Sequence, residues 1–120
     1  MHVDRHVVDI VTATGGGATG YTGTLTGRIA EVIYTKDGSN AFASTADFTV
    51  TTEKDAQAVW TGANVNASTV IRPMRGAHQT ATGAASTLEQ VGIHVAGDRV
   101  KIVVAQGGNT KNGRFSVIVI

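Results

Sequence analysis

The feature that most constrains this chain is a recurring period of two, cut into short runs by turn chemistry. Asp47-Phe48-Thr49-Val50-Thr51-Thr52-Glu53 alternates strictly, as a strand with one buried face must, because successive side chains point to opposite sides. Phe48, Val50 and Thr52 are therefore expected inward. Arg99-Val100-Lys101-Ile102-Val103-Val104-Ala105 repeats the pattern, with Val100, Ile102 and Val104 on one side. No segment shows a convincing helical period. Thr, Val, Ala and Gly dominate while Leu and Glu are few, which moves the expectation to an all-β fold.

Further strands follow from the same reasoning. His6 to Thr12 is β-branched and nearly continuous in its apolar character, and Ala13 to Gly20 (ATGGGATG) is turn chemistry. Tyr21 to Gly27 alternates, and Arg28 to Thr35 is a stronger strand. In that strand Ile29, Glu31 and Ile33 share one face, and Ala30, Val32 and Tyr34 the other. Neither face is purely polar, so the strand is expected to be covered on both sides, by an opposing sheet and by a neighbouring molecule. Lys36-Asp37-Gly38-Ser39-Asn40 is the clearest turn, its Asp-Gly pair suited to positive φ. Ala56 to Trp60 fits a short strand or a turn of helix, and Ala67 to Pro73 a strand ended or placed at an edge by the proline. Met74 to Thr87 (MRGAHQTATGAAST) is small, polar and aperiodic, and is expected to be a loop. Leu88 to Val95 alternates again and Gly97-Asp98 makes a tight turn. The last two strands, Arg99 to Ala105 and Phe115 to Ile120, are expected to form a hairpin. Seven to eight short antiparallel strands joined in this way describe a β-sandwich of jelly-roll type. The 120 residues are expected to form one domain, 1–120, with an N-terminal arm, 1–5.

Several function classes lose support. The absence of cysteine removes disulfide frameworks and thiolate chemistry, and a formal net charge of +1 lacks the basic footprint of a nucleic-acid or anionic-membrane binder. No apolar run approaches the roughly 20 residues of a spanning helix, and the charged start Met1-His2-Val3-Asp4-Arg5-His6 is unlike a signal peptide. A soluble, unexported protein is expected. Gly15-Gly16-Gly17-Ala18-Thr19-Gly20 matches GxGxxG in form, yet the following Tyr21-Thr22-Gly23-Thr24 is no helix to hold a pyrophosphate. His2 and His6 share a strand face but leave a zinc site short of ligands, and His78 and His94 lie in unrelated contexts. The serines lack a GxSxG elbow and the carboxylates are scattered, so no enzyme, cofactor or metal is expected. Carbohydrate binding is the principal rival, with Trp60, Tyr21 and Tyr34 as the available rings. A lone Trp in a small β domain is more often part of the core. Arg72-Pro73-Met74-Arg75 places two guanidinium groups about an apolar Met, a composition favoured in interface cores, and is a candidate contact surface. The arm Met1, His2, Val3, Asp4 and Arg5 is a second candidate, able to extend another subunit's sheet.

A set of stretches running almost end to end resembles a family of small tailed-bacteriophage virion proteins. They are Asp4-Arg5-His6-Val7-Val8, Thr26-Gly27-Arg28-Ile29 with Ile33-Tyr34, Asp47 to Thr51, Trp60-Thr61 with Asn64 to Ser68, Arg72-Pro73, and Asp98 to Gly108. The closest likeness is to head cement, or decoration, proteins of Bordetella-type podophages. That resemblance implies a jelly roll attached outside an HK97-like major capsid protein shell, pairing of copies as a homodimer, no enzymatic activity and no site residue to transfer individually. It implies a virion protein on the capsid exterior, made in the host bacterial cytoplasm. A neck or tail component, or a carbohydrate-binding domain of a tail or fibre, is the alternative role.

Overall fold

The computed structural model describes residues 3–78 and 85–120; the side chains of residues 75–78 and 85–89 are likewise outside that description. The described chain is a β-sandwich without helices. Its strands are β1 (Asp4–Val11), β2 (Ala18–Tyr21), β3 (Leu25–Lys36), β4 (Asp47–Thr52) and β5 (Ala58–Gly62), then β6 (Thr69–Ile71), β7 (Met74–His78), β8 (Ala85–Asp98), β9 (Val100–Ala105) and β10 (Asn112–Val119). A six-stranded sheet runs β1-β10-β3-β8-β7, with β6 also pairing β3, and a four-stranded sheet runs β2-β9-β4-β5. All the strand pairs are antiparallel.

Alternation places the core as expected. Phe48, Val50 and Thr52 of β4 and Val100, Ile102 and Val104 of β9 are buried. They meet Val8 and Ile10 of β1, Ile29, Val32 and Tyr34 of β3, Ile93 and Val95 of β8, and Phe115, Val117 and Val119 of β10. The aromatic residues are few but gathered. Phe48, from the smaller sheet, lies 4.7 Å from Tyr34 and 4.9 Å from Phe115 of the larger sheet, measured between ring centroids, and 5.4 Å from Trp60 and 5.8 Å from Phe42. All four contacts are edge-to-face, the arrangement that aligns positive ring edges with negative faces, and each adds about 0.5–1.5 kcal/mol beyond area burial. Gly113 of β10 leaves room for this cluster, because a Cβ there would come within 2.4 Å of the Phe42 ring.

The mixed faces of the third strand have a local cause. Ile118 of β10 pairs Glu31 of β3 while the next residue, Val119, pairs Ile29, so Ala30 is an extra residue in the ladder. That β-bulge reverses the phase, letting Ile29 face inward before it and Val32 and Tyr34 after it.

Several boundaries and pairings differ from expectation. Among the described residues the strands number ten. Asp4 and Arg5 are not an arm preceding the first strand; they pair with Val119 and Ile118 inside β1, because β10 extends far enough to meet them. Met1 and His2 lie outside the described residues. Met74 to Thr87 is not wholly a loop: Met74–His78 and the segment from Ala85 are paired strands, and 79–84 lie outside the described residues. Alternation is the imprint of one buried face, and Gln90 and Val91 of β8 are exposed, so this end of the ribbon extends past the core and carries no such imprint. The last two strands form no hairpin. β9 lies in the smaller sheet and β10 in the larger, and the connection between them crosses the sandwich. Gln106, Gly108 and Thr110 adopt positive φ there, and Gly107 bonds through its N–H to Gly16 O at 2.8 Å and through its C=O to Ala43 N–H at 2.9 Å. The Lys36 to Asn40 turn forms, but Gly38 is not at positive φ. Asp37 Oδ2 holds the turn, accepting the N–H groups of Asn40 at 2.6 Å and Ser39 at 3.2 Å, which keeps its carboxyl below the usual range.

Two measurements check this core. Phe48→Ala should cost roughly 3–5 kcal/mol of unfolding free energy in denaturant titration, because it leaves a cavity between the sheets. Burial first, and the Asp37 charge second, raise the Tyr34 pKa above its ordinary 10.0. The neutral phenol therefore contributes stability that is complete below the unfolded-state value and disappears as pH rises through the folded-state value. Stability plotted against pH in this alkaline range should fall less steeply for Tyr34→Phe than for the parent chain.

Candidate interaction surface

The outer face of the six-stranded sheet presents an apolar row running across four strands. Register places Val7 of β1 beside Ser116 of β10, Ser116 beside Ile33 of β3, and Ile33 beside Val70 of β6. Val7 and Val70 are each about half exposed, while the small Ser116 is buried between larger neighbours. Charged rows bound this stripe. On one side Arg114 Nε donates to Asp9 Oδ1 at 2.7 Å. On the other, Arg72 Nη2 lies 3.4 Å from Glu31 Oε1. Both pairs are solvated, so they contribute little to folding and instead set the charge pattern a partner would meet.

Two clefts flank the stripe, one beyond each charged border. One, of about 440 Å³, is lined by Asp9, Val11, Thr35, Lys36, Asp37 and Arg114 among others. The second, of about 270 Å³, opens where β8 leaves the edge of β3 and β6 takes its place, beside the bulge at Ala30. Arg28, Glu31, Arg72, Met74 and Gly92 contribute to it. The aliphatic stem of Arg28 crosses Gly92, where a Cβ would stand only 2.4 Å from Arg28 Cδ. Gly92 thus seats the Arg28 guanidinium at the cleft.

The residues singled out from sequence separate here. Arg72 and Met74 line the second cleft; the Arg72 side chain is 72% exposed and Met74 51%. Pro73 between them is buried, and the Arg75 side chain lies outside the description. Val3, Asp4 and Arg5 are exposed at the far margin of the same sheet, on or beside β1. Arg28, Glu31, Val7 and Val70 were not anticipated as surface contributors. Arg28 and Glu31 lie on the third strand, whose apolar character on both faces was the one signal; Val7 and Val70 lie on β1 and β6, outside it.

The remaining candidates do not assemble. Among the described residues, no group of three or more His, Cys, Asp or Glu side chains is placed to hold a metal ion. His6 is half-buried in β1, His94 is exposed on β8 opposite Arg28, and the His2 candidate lies outside the described residues. Asp98 is the buried carboxylate among them. It accepts N–H groups from Lys54, at 3.1 Å to each oxygen, and from Arg99 at 2.7 Å, so its acceptor capacity serves the corner between β8 and β9. Of the rings proposed for a sugar platform, Tyr34 is interior, Trp60 packs its ring against Phe48, and Tyr21 carries the Arg99 guanidinium 4.2 Å from its centroid. Gly15 to Gly20 leads into β2 rather than a helix, so no row of helix amides faces a phosphate.

No family model matches the chain, and no curated protein matches it. A solved structure titled "Crystal Structure of FLHE" is similar at a TM-score of 0.48 and 10% sequence identity, covering 99% of this chain and 98% of that one. A likeness at that level leaves the function of this chain to its own surface chemistry.

Proposed function

We propose that the chain is a structural subunit of a virus particle, a cement or decoration protein seated on the outside of an HK97-like major capsid protein shell in a tailed bacteriophage. The observation that carries this reading is the outer face of the six-stranded sheet. Its stripe Val7, Ser116, Ile33 and Val70, bordered by paired charges and flanked by the Arg28/Arg72/Met74 cleft, has the composition of a protein contact. The strand order supports a jelly roll within the sandwich. β1-β10-β3-β8 faces β2-β9-β4-β5, with β6 and β7 inserted between the fifth and eighth strands. The sequence resemblance to head cement proteins points the same way. A net charge of +1 suits many copies packed side by side, and contacts of modest strength suffice where they are repeated over a lattice.

Purified protein added to expanded heads lacking it should cosediment with them and raise their heat resistance. A Val70→Asp/Met74→Asp variant, changed only at exposed positions, should keep its fold by circular dichroism and bind heads about tenfold or more weakly, a loss of ~1.4 kcal/mol or more. Absence of cosedimentation by the parent chain would refute the cement role, and retention on a glycan array would replace it with sugar binding.

A further inference from the structure

The free margin of β1 differs from the other described sheet edges. β2 is four residues long and includes Gly20, β5 is five residues long with Val59 bulged out of its ladder, and β7 is five residues long with a register shift between Gly76 and His78. β1 runs for eight residues without proline and pairs with β10 without a register shift. Long, regular edges are usually blunted by bulges, prolines or brevity, because their open N–H and C=O groups template another strand. The orientation of those groups can be read from the ladder. Thr12 N–H bonds to Lys111 O on the β10 side. Backbone groups alternate along a strand, so Arg5, Val7 and Asp9 turn theirs to the open margin. The same residues face outward, and Val3, Arg5, Val7, Asp9 and Val11 are all exposed.

This outward series is self-complementary. Turned end for end about Val7, it sets Arg5 against Asp9, Val3 against Val11, and Val7 against itself. We propose that β1 pairs antiparallel with β1 of a second copy of this chain, in the register centred on Val7, fusing two six-stranded sheets into one. In that register the residues with open backbone groups fall opposite one another, each pair exchanging both N–H···O bonds. Sliding by two residues in either direction sets both charges against valines or beyond the strand and loses the cross-strand attractions. Asp9 already receives Arg114 from the β10 side. Its carboxylate has about four lone-pair sites, so Arg5 of the second copy is accommodated from the other side. The pairing belongs to the free chain in solution and does not depend on the capsid role.

Sedimentation of the full chain tests it. The parent should sediment as a dimer, and a monomer at the highest soluble concentration would overturn the proposal. Val7→Pro removes an N–H that faces the open margin and leaves the bonds to β10 in place, so it should give a folded monomer; a folded dimer would overturn the proposal. Should that variant unfold, Arg5→Asp, which sets like charges opposite, provides the same reading: loss of the dimer is expected, and a retained dimer refutes the register. The chain has no cysteine, so single cysteines report the register directly. Val7→Cys should form its symmetric disulfide at least about tenfold faster than Arg5→Cys under mild oxidation, because only residue 7 meets its own copy. Equal rates would refute the centre of pairing.

Discussion

The sandwich depends on the ring of Phe48. It comes from the smaller sheet and packs edge-on against Tyr34 and Phe115 of the larger sheet, while Phe42 and Trp60 close around it. A chain with three Phe, two Tyr and one Trp has little aromatic area to spend, and five of those six side chains converge on this one contact. The valines and isoleucines fill the remaining layer, but their shapes do not fix how one sheet sits on the other. Edge-to-face ring geometry is directional, and so it sets the lateral alignment of the two sheets as well as their cohesion.

Much of this inner architecture is legible in the sequence where one face of a strand is buried and the other is wet. Phe48, Val50 and Thr52, and Val100, Ile102 and Val104, announce their orientation by simple alternation. The signal fails for identifiable reasons. At Ala30 a bulge exchanges the two faces within one strand, which no fixed period describes. At Met74 to His78 and the start of β8, pairing occurs on a ribbon that extends past the core, so hydrogen bonding persists without the hydrophobic pattern that would betray it. The supposed hairpin between the last two strands fails because Gly and Asn mark a reversal of direction equally well within a sheet and between sheets.

The contact surface was legible in part. Arg72 and Met74 drew notice through composition and lie together at a cleft, whereas Arg28 and Glu31 become their neighbours only through register and the gap between β8 and β6. Val7 and Val70 are far apart in sequence and meet one stripe only because β10 and β3 lie between their strands. An outward-facing apolar residue looks, in sequence, like an inward-facing one out of phase. Its meaning emerges once the opposite face has been assigned.

β10 occupies an interior place in the larger sheet, between β1 and β3, although it follows the other described strands in chain order. Until Asn112–Val119 leaves the ribosome, β1 has no ladder and Tyr34 lacks the Phe115 ring beside it. Partners separated by roughly the whole length of the chain make loop closure entropically costly and folding slow. The nascent sandwich would therefore remain open, and its sheets would close only after Asn112–Val119 has been translated.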